Sequence, residues 1–129
     1  ERDALARLHA ASAAAAAADD AQAYVAFNRD FHQAIYAGSH NPFLVETTQD
    51  VRRRLAPFRN AQFHLGGRPS ASFAEHALVV DAVLAADGAA AHVAMVGHIG
   101  RVRDAYRTLQ ASWPEADAAA FTALTAPEV

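Results

Sequence analysis

The chain has 129 residues, yet it contains no cysteine, no lysine and few of the alternating β-branched runs that mark strands. The absence of cysteine excludes disulfide frameworks, thiolate zinc sites and a cysteine nucleophile. No apolar run approaches about 18 residues, so we expect no transmembrane helix. The formal net charge of −3, without an obvious basic face, makes this chain by itself a poor candidate for binding nucleic acid.

Alanine is the residue in excess, and it fills 35 positions. Apolar types make up 53% of the chain, too many for disorder, and alanine favours helix because it loses no side-chain entropy on ordering. The length suits one domain. We therefore expect residues 1–129 to form a single all-α domain, an antiparallel bundle of about six helices around a central ligand or metal cavity.

Caps and breakers predict where the helices begin and end. Asp19–Asp20 is typical of a helix start, and Pro57 predicts a kink inside the third helix. We interpret Ser72–Glu75 as a capping box and Phe63–Pro69 as a loop. The predicted helices are Asp3–Ala18, Ala21–Ala37, Pro42–Gln62, Ser72–Ala86, Ala89–Ala111 and Glu115–Leu124.

Apolar side chains at three- and four-residue spacing predict which helix faces pack into the core. On the second helix this face comprises Tyr24, Phe27, Phe31 and Ala34. On the third helix it comprises Leu44, Val51, Leu55 and Phe58.

The seven histidines are the residues most suited to chemistry. Asn28 and His32 lie four apart on the second helix, so one atom can contact both. His76 opens the fourth helix, and His98 lies on the apolar side of the fifth. These four side chains could converge on a divalent cation. The sequence pattern is equally compatible with histidines that are hydrogen-bonded in the core and bind no metal.

Several strings resemble the effector domain of GntR-family transcription regulators, specifically the FadR-like C-terminal domain called FCD. The resemblance covers roughly residues 3–110. The matching strings are Asn28–His32, Asn41–Leu44, Glu75–His76 and the positions Asp87, Ala91, Met95, His98 and Ile99.

The resemblance implies a cytoplasmic, homodimeric sensor that binds a small organic acid and is not an enzyme. By position, its metal ligands would be Asn28, His32, His76 and His98. The cofactor would be a divalent metal ion, zinc first, with nickel or manganese as alternatives. DNA would be bound only through a winged helix-turn-helix domain that this chain does not contain, and the first helix of the sensor could also be missing.

Asn28 departs from the aspartate that many relatives carry at this position. Its neutral oxygen leaves the charge of a cation uncompensated by the protein. We expect this to weaken metal binding and to strengthen the attraction of an anionic effector.

Arginine has a planar guanidinium that suits a carboxylate effector. Arg52 and Arg59 are seven residues apart and share a side near the core boundary, so they are the first candidates for effector contacts. His64 is a third candidate, because its loop could close over the cavity. His9 lies on a stretch that looks exposed, and His40 and His92 suggest no site.

Two other functions remain open from the residues. A small metal-dependent enzyme acting on a carboxylate substrate would suit three histidine ligands. However, Glu75 adjoins His76 and is expected to point about 100° away from it, which leaves no convincing general base. A purely structural helical module with buried, neutral histidines is the other alternative.

Overall fold

The computed structural model describes residues 1–112 and shows that part of the chain to be entirely helical. The predicted all-α class is confirmed. A 3₁₀ turn, Gln62–His64, links the fifth helix to the sixth. The predicted helix Glu115–Leu124 lies outside the described residues. The helices are α1 (Arg2–Ala11), α2 (Ala13–Ala17), α3 (Ala21–Ala37), α4 (Pro42–Arg54), α5 (Ala56–Ala61), α6 (Arg68–Leu84) and α7 (Gly88–Ala111).

Side-chain caps fix the starts of three helices. The Asp20 carboxylate accepts a hydrogen bond from the Ala23 amide at 3.0 Å, which confirms the predicted start of α3. Asn41 caps α4 in the same way, and Asp87 caps α7. Each cap satisfies an amide that has no partner within its helix.

The first and third predicted helices are each interrupted. The Ser12 hydroxyl is buried and donates to the His9 carbonyl oxygen at 2.7 Å, where α1 ends and α2 begins. Such local hydrogen bonds from serine compete with regular helix. At Leu55 the chain breaks between α4 and α5, and Pro57 lies in the first turn of α5, as the predicted kink requires.

The predicted capping box is wrong, because α6 begins at Arg68. Gly67 precedes the helix with a φ of 75°, and its amide donates to the Asp19 carboxylate at 2.9 Å. Ser72 is therefore buried inside the helix, and Glu75 extends into the core instead of back to a helix start.

Within the described residues the core contains two apolar clusters, and α3 contributes to both. Phe31 packs with Leu5 of α1 and with Val79 and Val80 of α6. The second cluster comprises Ala15, Ala16, Tyr24 and Phe63. Because α6 also packs against α7, the middle parts of α3, α6 and α7 come together in the interior.

The predicted core face of the third helix is wrong for three of its four residues; the fourth, Phe58 of α5, is half-buried, and its ring packs against that of Tyr106. Leu44, Val51 and Leu55 are 45–49% exposed. The side of α4 that borders α3 instead carries Gln49 and Arg52, which line a cavity. None of the helices within residues 1–112 has the length and hydropathy needed to cross a membrane.

Candidate metal and effector site

Three buried histidines from three helices meet in the interior. His32 comes from α3, His76 from α6 and His98 from α7, and each is at most 3% exposed. Ring nitrogens of the three lie within 4.8 Å of one another. The Nε2 atoms of His76 and His98 are 3.4 Å apart. This spacing places three nitrogen donors around one point.

Local packing holds these rings in place. Phe31 stacks on the His76 ring with centroids 4.1 Å apart, and the Tyr24 hydroxyl lies 3.5 Å from His76 Nδ1. Asn28 lies one turn before His32 on α3 and is 4% exposed. Thus Asn28 and His32 share the buried side of the helix.

Glu75 contacts the His98 ring at Nδ1, the nitrogen that points away from His76. The Nδ1–H of His98 donates to the Glu75 carboxylate at 2.7 Å. Arg68 donates two further hydrogen bonds to the same carboxylate, at 2.8 and 2.9 Å, and its Nε–H donates to the Gln62 side chain. All four side chains are buried. A carboxylate that accepts from one ring nitrogen of histidine orients the other nitrogen for a metal ion.

This role of Glu75 was not predicted from the sequence, because the expected capping box directs its side chain back to a helix start at Ser72. Arg68 was also placed in a loop. Once α6 extends to Arg68, the seven-residue spacing puts Arg68 and Glu75 on one face of the helix. That spacing is the signal that could have revealed the pair.

Burial controls the charges of the cluster. It lowers the pKa of His32 well below the usual range, and nearby Arg52 lowers it further. Burial and the neighbouring His98 lower the pKa of His76 to about 2. Burial would raise the pKa of Glu75, but hydrogen bonds from His98 and Arg68 outweigh it and lower the value to about 2. At neutral pH, His32 and His76 are thus neutral and Glu75 is charged.

This donor set fits a divalent cation. Metal ions bind neutral imidazole, and His32 and His76 are held in that form. His32 Nδ1 is buried and has no hydrogen-bond partner among the described residues. A buried polar atom without a partner is costly, so an unpaired nitrogen beside two other histidines is suited to binding a ligand.

A cavity of about 370 Å³ lies between α3, α4 and α5 and borders the histidine site at Asn28. Asn28, Tyr36, Arg52 and Arg59 contribute to its wall. Arg52 donates to the Tyr36 hydroxyl at 2.8 Å. Burial lowers the pKa of Arg52, and burial together with Arg52 lowers that of Arg59 to about 10.

The remaining histidines lie elsewhere. His64 is exposed at the end of the 3₁₀ turn and is not part of the cavity wall. His40 and His92 are also exposed. The expectation of an exposed His9 is wrong: it is half-buried, stacks on Phe73 at 4.1 Å and hydrogen-bonds the Phe73 carbonyl oxygen.

A family model for the FCD domain matches residues 1–101, a range that contains Asn28 and all three clustered histidines. Neither the curated proteins nor the solved structures include a match to the chain. Because the matched range covers most of the sequence, the chain belongs to the FCD domain family, the C-terminal effector-binding domain of FadR-like GntR regulators.

Proposed function

We propose that this domain senses a small organic acid at a divalent metal ion and relays the binding to an attached DNA-binding domain. One observation carries the proposal: three buried histidines from three helices converge within 4.8 Å, next to a cavity whose wall includes Asn28, Arg52 and Arg59. The proposed ligands are Asn28, His32, His76 and His98. Zinc is the first candidate, with nickel and manganese as alternatives, because imidazole with one oxygen suits all three.

In this proposal each residue of the site has a distinct role in binding the metal ion or the acid. When bound, the cation supplies a positive centre that attracts a carboxylate. Glu75 keeps the His98 ring oriented, and the neutral Asn28 leaves the charge of the cation available to an anion. Arg52 and Arg59 donate N–H groups to the acid from the cavity wall. His64 is a further proposed contact, which needs its exposed segment to approach the cavity.

The geometry favours a sensor over an enzyme. A metal-dependent hydrolase or lyase needs a general base with a free lone pair near the reacting group. Within residues 1–112, Glu75 is the carboxylate that hydrogen-bonds the histidine cluster, and it contacts His98 at Nδ1, on the side of the ring away from the Nε2 atom that faces His76. The Glu75 carboxylate therefore orients the His98 ring, and it is not placed where it could take a proton from a bound substrate.

The proposed output is a change in helix packing. An acid held between α3, α4 and α5 favours the arrangement that binds it better, and coupling of this kind is typically about 1–3 kcal/mol. The chain contacts DNA only through the attached winged helix-turn-helix domain, in a cytoplasmic protein.

We also propose that the domain forms homodimers. Val93, Val96 and Ile99 of α7 are 56–70% exposed, and a second copy would cover this apolar surface. Sedimentation equilibrium should show dimers that Val96→Glu converts to monomers. A monomeric wild-type chain at high concentration would contradict this part of the proposal.

Metal analysis tests the proposal directly. Purified chain incubated with zinc and then desalted should retain about one metal ion per chain. His32→Ala should lose that ion, whereas His92→Ala, which changes an exposed histidine on α7, should retain it. Lactate binding, measured by calorimetry, should disappear when a chelator removes the metal. A chain that retains no zinc, nickel or manganese would instead be a structural module.

A further inference from the structure

Four arginines line the cavity beside the histidines, and no acidic residue lies in the described part of its wall. Two of the four already have a carboxylate partner. Arg29 pairs with Asp30 at 2.8 Å, and Arg53 pairs with Asp50, and all of these side chains are well exposed. These two arginines contribute little unbalanced charge to the cavity.

Arg52 and Arg59 differ, because neither has a carboxylate partner within residues 1–112. Both are half-buried, and the pKa of Arg59 is lowered by burial and by the neighbouring positive charge of Arg52. Both arginines line the same cavity as Asn28, which lies one turn before His32 on α3. They are therefore close to each other and to the histidine cluster, and their positive charges are not neutralised.

One donor on Arg52 is left without a partner. Nη1 donates to the Tyr36 hydroxyl, and the guanidinium lies 5.3 Å from the centre of the Tyr36 ring, which holds its plane in position. Nη2 is buried and has no hydrogen-bond partner among the described residues. Buried donors are nearly always paired in folded proteins, so this one is suited to an acceptor from a ligand.

A single carboxylate is insufficient for this charge. The proposed cation with neutral ligands, together with two unpaired guanidinium groups, leaves a strongly positive site. A volume of about 370 Å³ lies within the usual range for small-molecule sites, roughly 300–1,000 Å³, and has room for more than one acidic group. The neutral side chains Gln33, Gln49 and Asn60 in the wall can bind hydroxyl groups.

We infer that the acid bound here carries a second anionic group, which Arg52 and Arg59 hold while the first group lies at the histidine cluster. The inference rests on the proposed function. A guanidinium fork accommodates a carboxylate or a phosphate equally well, so the shared chemistry is that of an anion with two or more oxygens.

Pairs of acids that differ by one anionic group test the inference. Malate is lactate with one added carboxylate, and 3-phosphoglycerate is glycerate with one added phosphate. Calorimetry on the zinc-loaded chain measures the dissociation constant of each acid. In at least one of the two pairs, the acid with the added anionic group should bind at least about tenfold more tightly than its matched monoacid. The pair that shows the larger ratio identifies the second group as carboxylate or phosphate.

Matched variants locate the effect. Arg59→Gln should bring the ratio between the diacid and the monoacid close to one, and Arg52→Gln should act similarly. Arg103→Gln, which changes an exposed arginine of α7 that is paired with Asp104 and lies outside the cavity wall, should keep the wild-type ratio. Circular dichroism and metal content identify any variant that fails to fold. If one of Arg52→Gln and Arg59→Gln does not fold, the ratio measured for the other tests the inference.

The outcomes separate this inference from the proposed function. Retained metal and retained lactate binding, with equal affinities within each pair of acids, would overturn only the second anionic group. An equal loss of preference in Arg103→Gln would also overturn it, because the effect would then come from general charge. Absence of both metal and acid binding would overturn the proposed function itself.

Discussion

Glu75 shows how one buried side chain determines what a neighbouring group can do. Its carboxylate accepts from His98 Nδ1, so His98 Nε2 is turned toward His76 Nε2, 3.4 Å away. Arg68 compensates the charge of the carboxylate inside the protein. A buried carboxylate without such a partner would be strongly destabilising.

We predict that Glu75→Gln weakens metal binding by about 10–100-fold, because loss of the carboxylate behind a histidine ligand reduces both its orientation and its basicity. Competition with a chromophoric chelator measures the affinity. Glu46→Gln makes the same change at an exposed position of α4 and should leave the affinity unchanged.

A double variant separates positioning from stability. Glu75→Gln alone leaves Arg68 buried without its ion partner, at a cost of about 3–5 kcal/mol. Arg68→Leu with Glu75→Leu removes both charges and should restore much of the free energy of unfolding, yet it should still bind metal weakly. Wild-type metal affinity in this double variant would show that Glu75 does not position His98.

At the scale of elements, α7 is the longest described helix and presents His98 near its middle. Asp87 starts it, since its carboxylate accepts from the Ala90 amide at 2.9 Å. Asp87→Ala should lower the free energy of unfolding by about 1 kcal/mol, because an orphan amide loses its acceptor.

Urea denaturation measures this loss, and Asp81→Ala is the control. Asp81 is exposed on α6 and caps no helix, so its removal should change stability by less than about 0.5 kcal/mol. Equal effects of the two substitutions would indicate that the cap contributes nothing specific.

The start of α6 shows why one element was predicted wrongly. Ser72–Glu75 has the form of a capping box, and local pattern alone favours a start there. The helix starts at Arg68 because Gly67 adopts a positive φ and its amide reaches Asp19, 48 residues away in the sequence. Such a contact cannot be inferred from a local window.

At the scale of the whole molecule, burial of neutral histidines makes stability depend on pH. The folded chain holds the pKa values of His32 and His76 far below 6.5, whereas the unfolded chain takes up protons as the pH falls through 6.5. The unfolded state therefore binds more protons, and stability decreases as the pH is lowered. Glu75 adds to the loss below its ordinary pKa of 4.5, because its folded value is also lowered.

For the metal-free chain we predict a loss of about 1.4 kcal/mol per buried histidine between pH 7.5 and 5.5. Urea denaturation after chelation, at the two pH values, measures it. His32→Asn should remove about half of the difference, and exposed His64→Gln should leave it unchanged. Equal stability of the wild type at both pH values would contradict the prediction.

The sequence by itself determined the all-α class, the capped start of α3, the starts of α4 and α7 to within one residue, and the break near Pro57. These features depend on residues within one or two turns of each other. It also named Asn28 and the three histidines as candidates, although helical spacing could not show that they meet.

Only the tertiary structure decided which faces lie against each other. It placed Glu75 between Arg68 and His98, exposed the apolar face of α4, and left Arg52 and Arg59 without carboxylate partners. Each of these depends on contacts between helices far apart in the sequence. Charge balance and burial are properties of the packed molecule, so no local pattern could have revealed them.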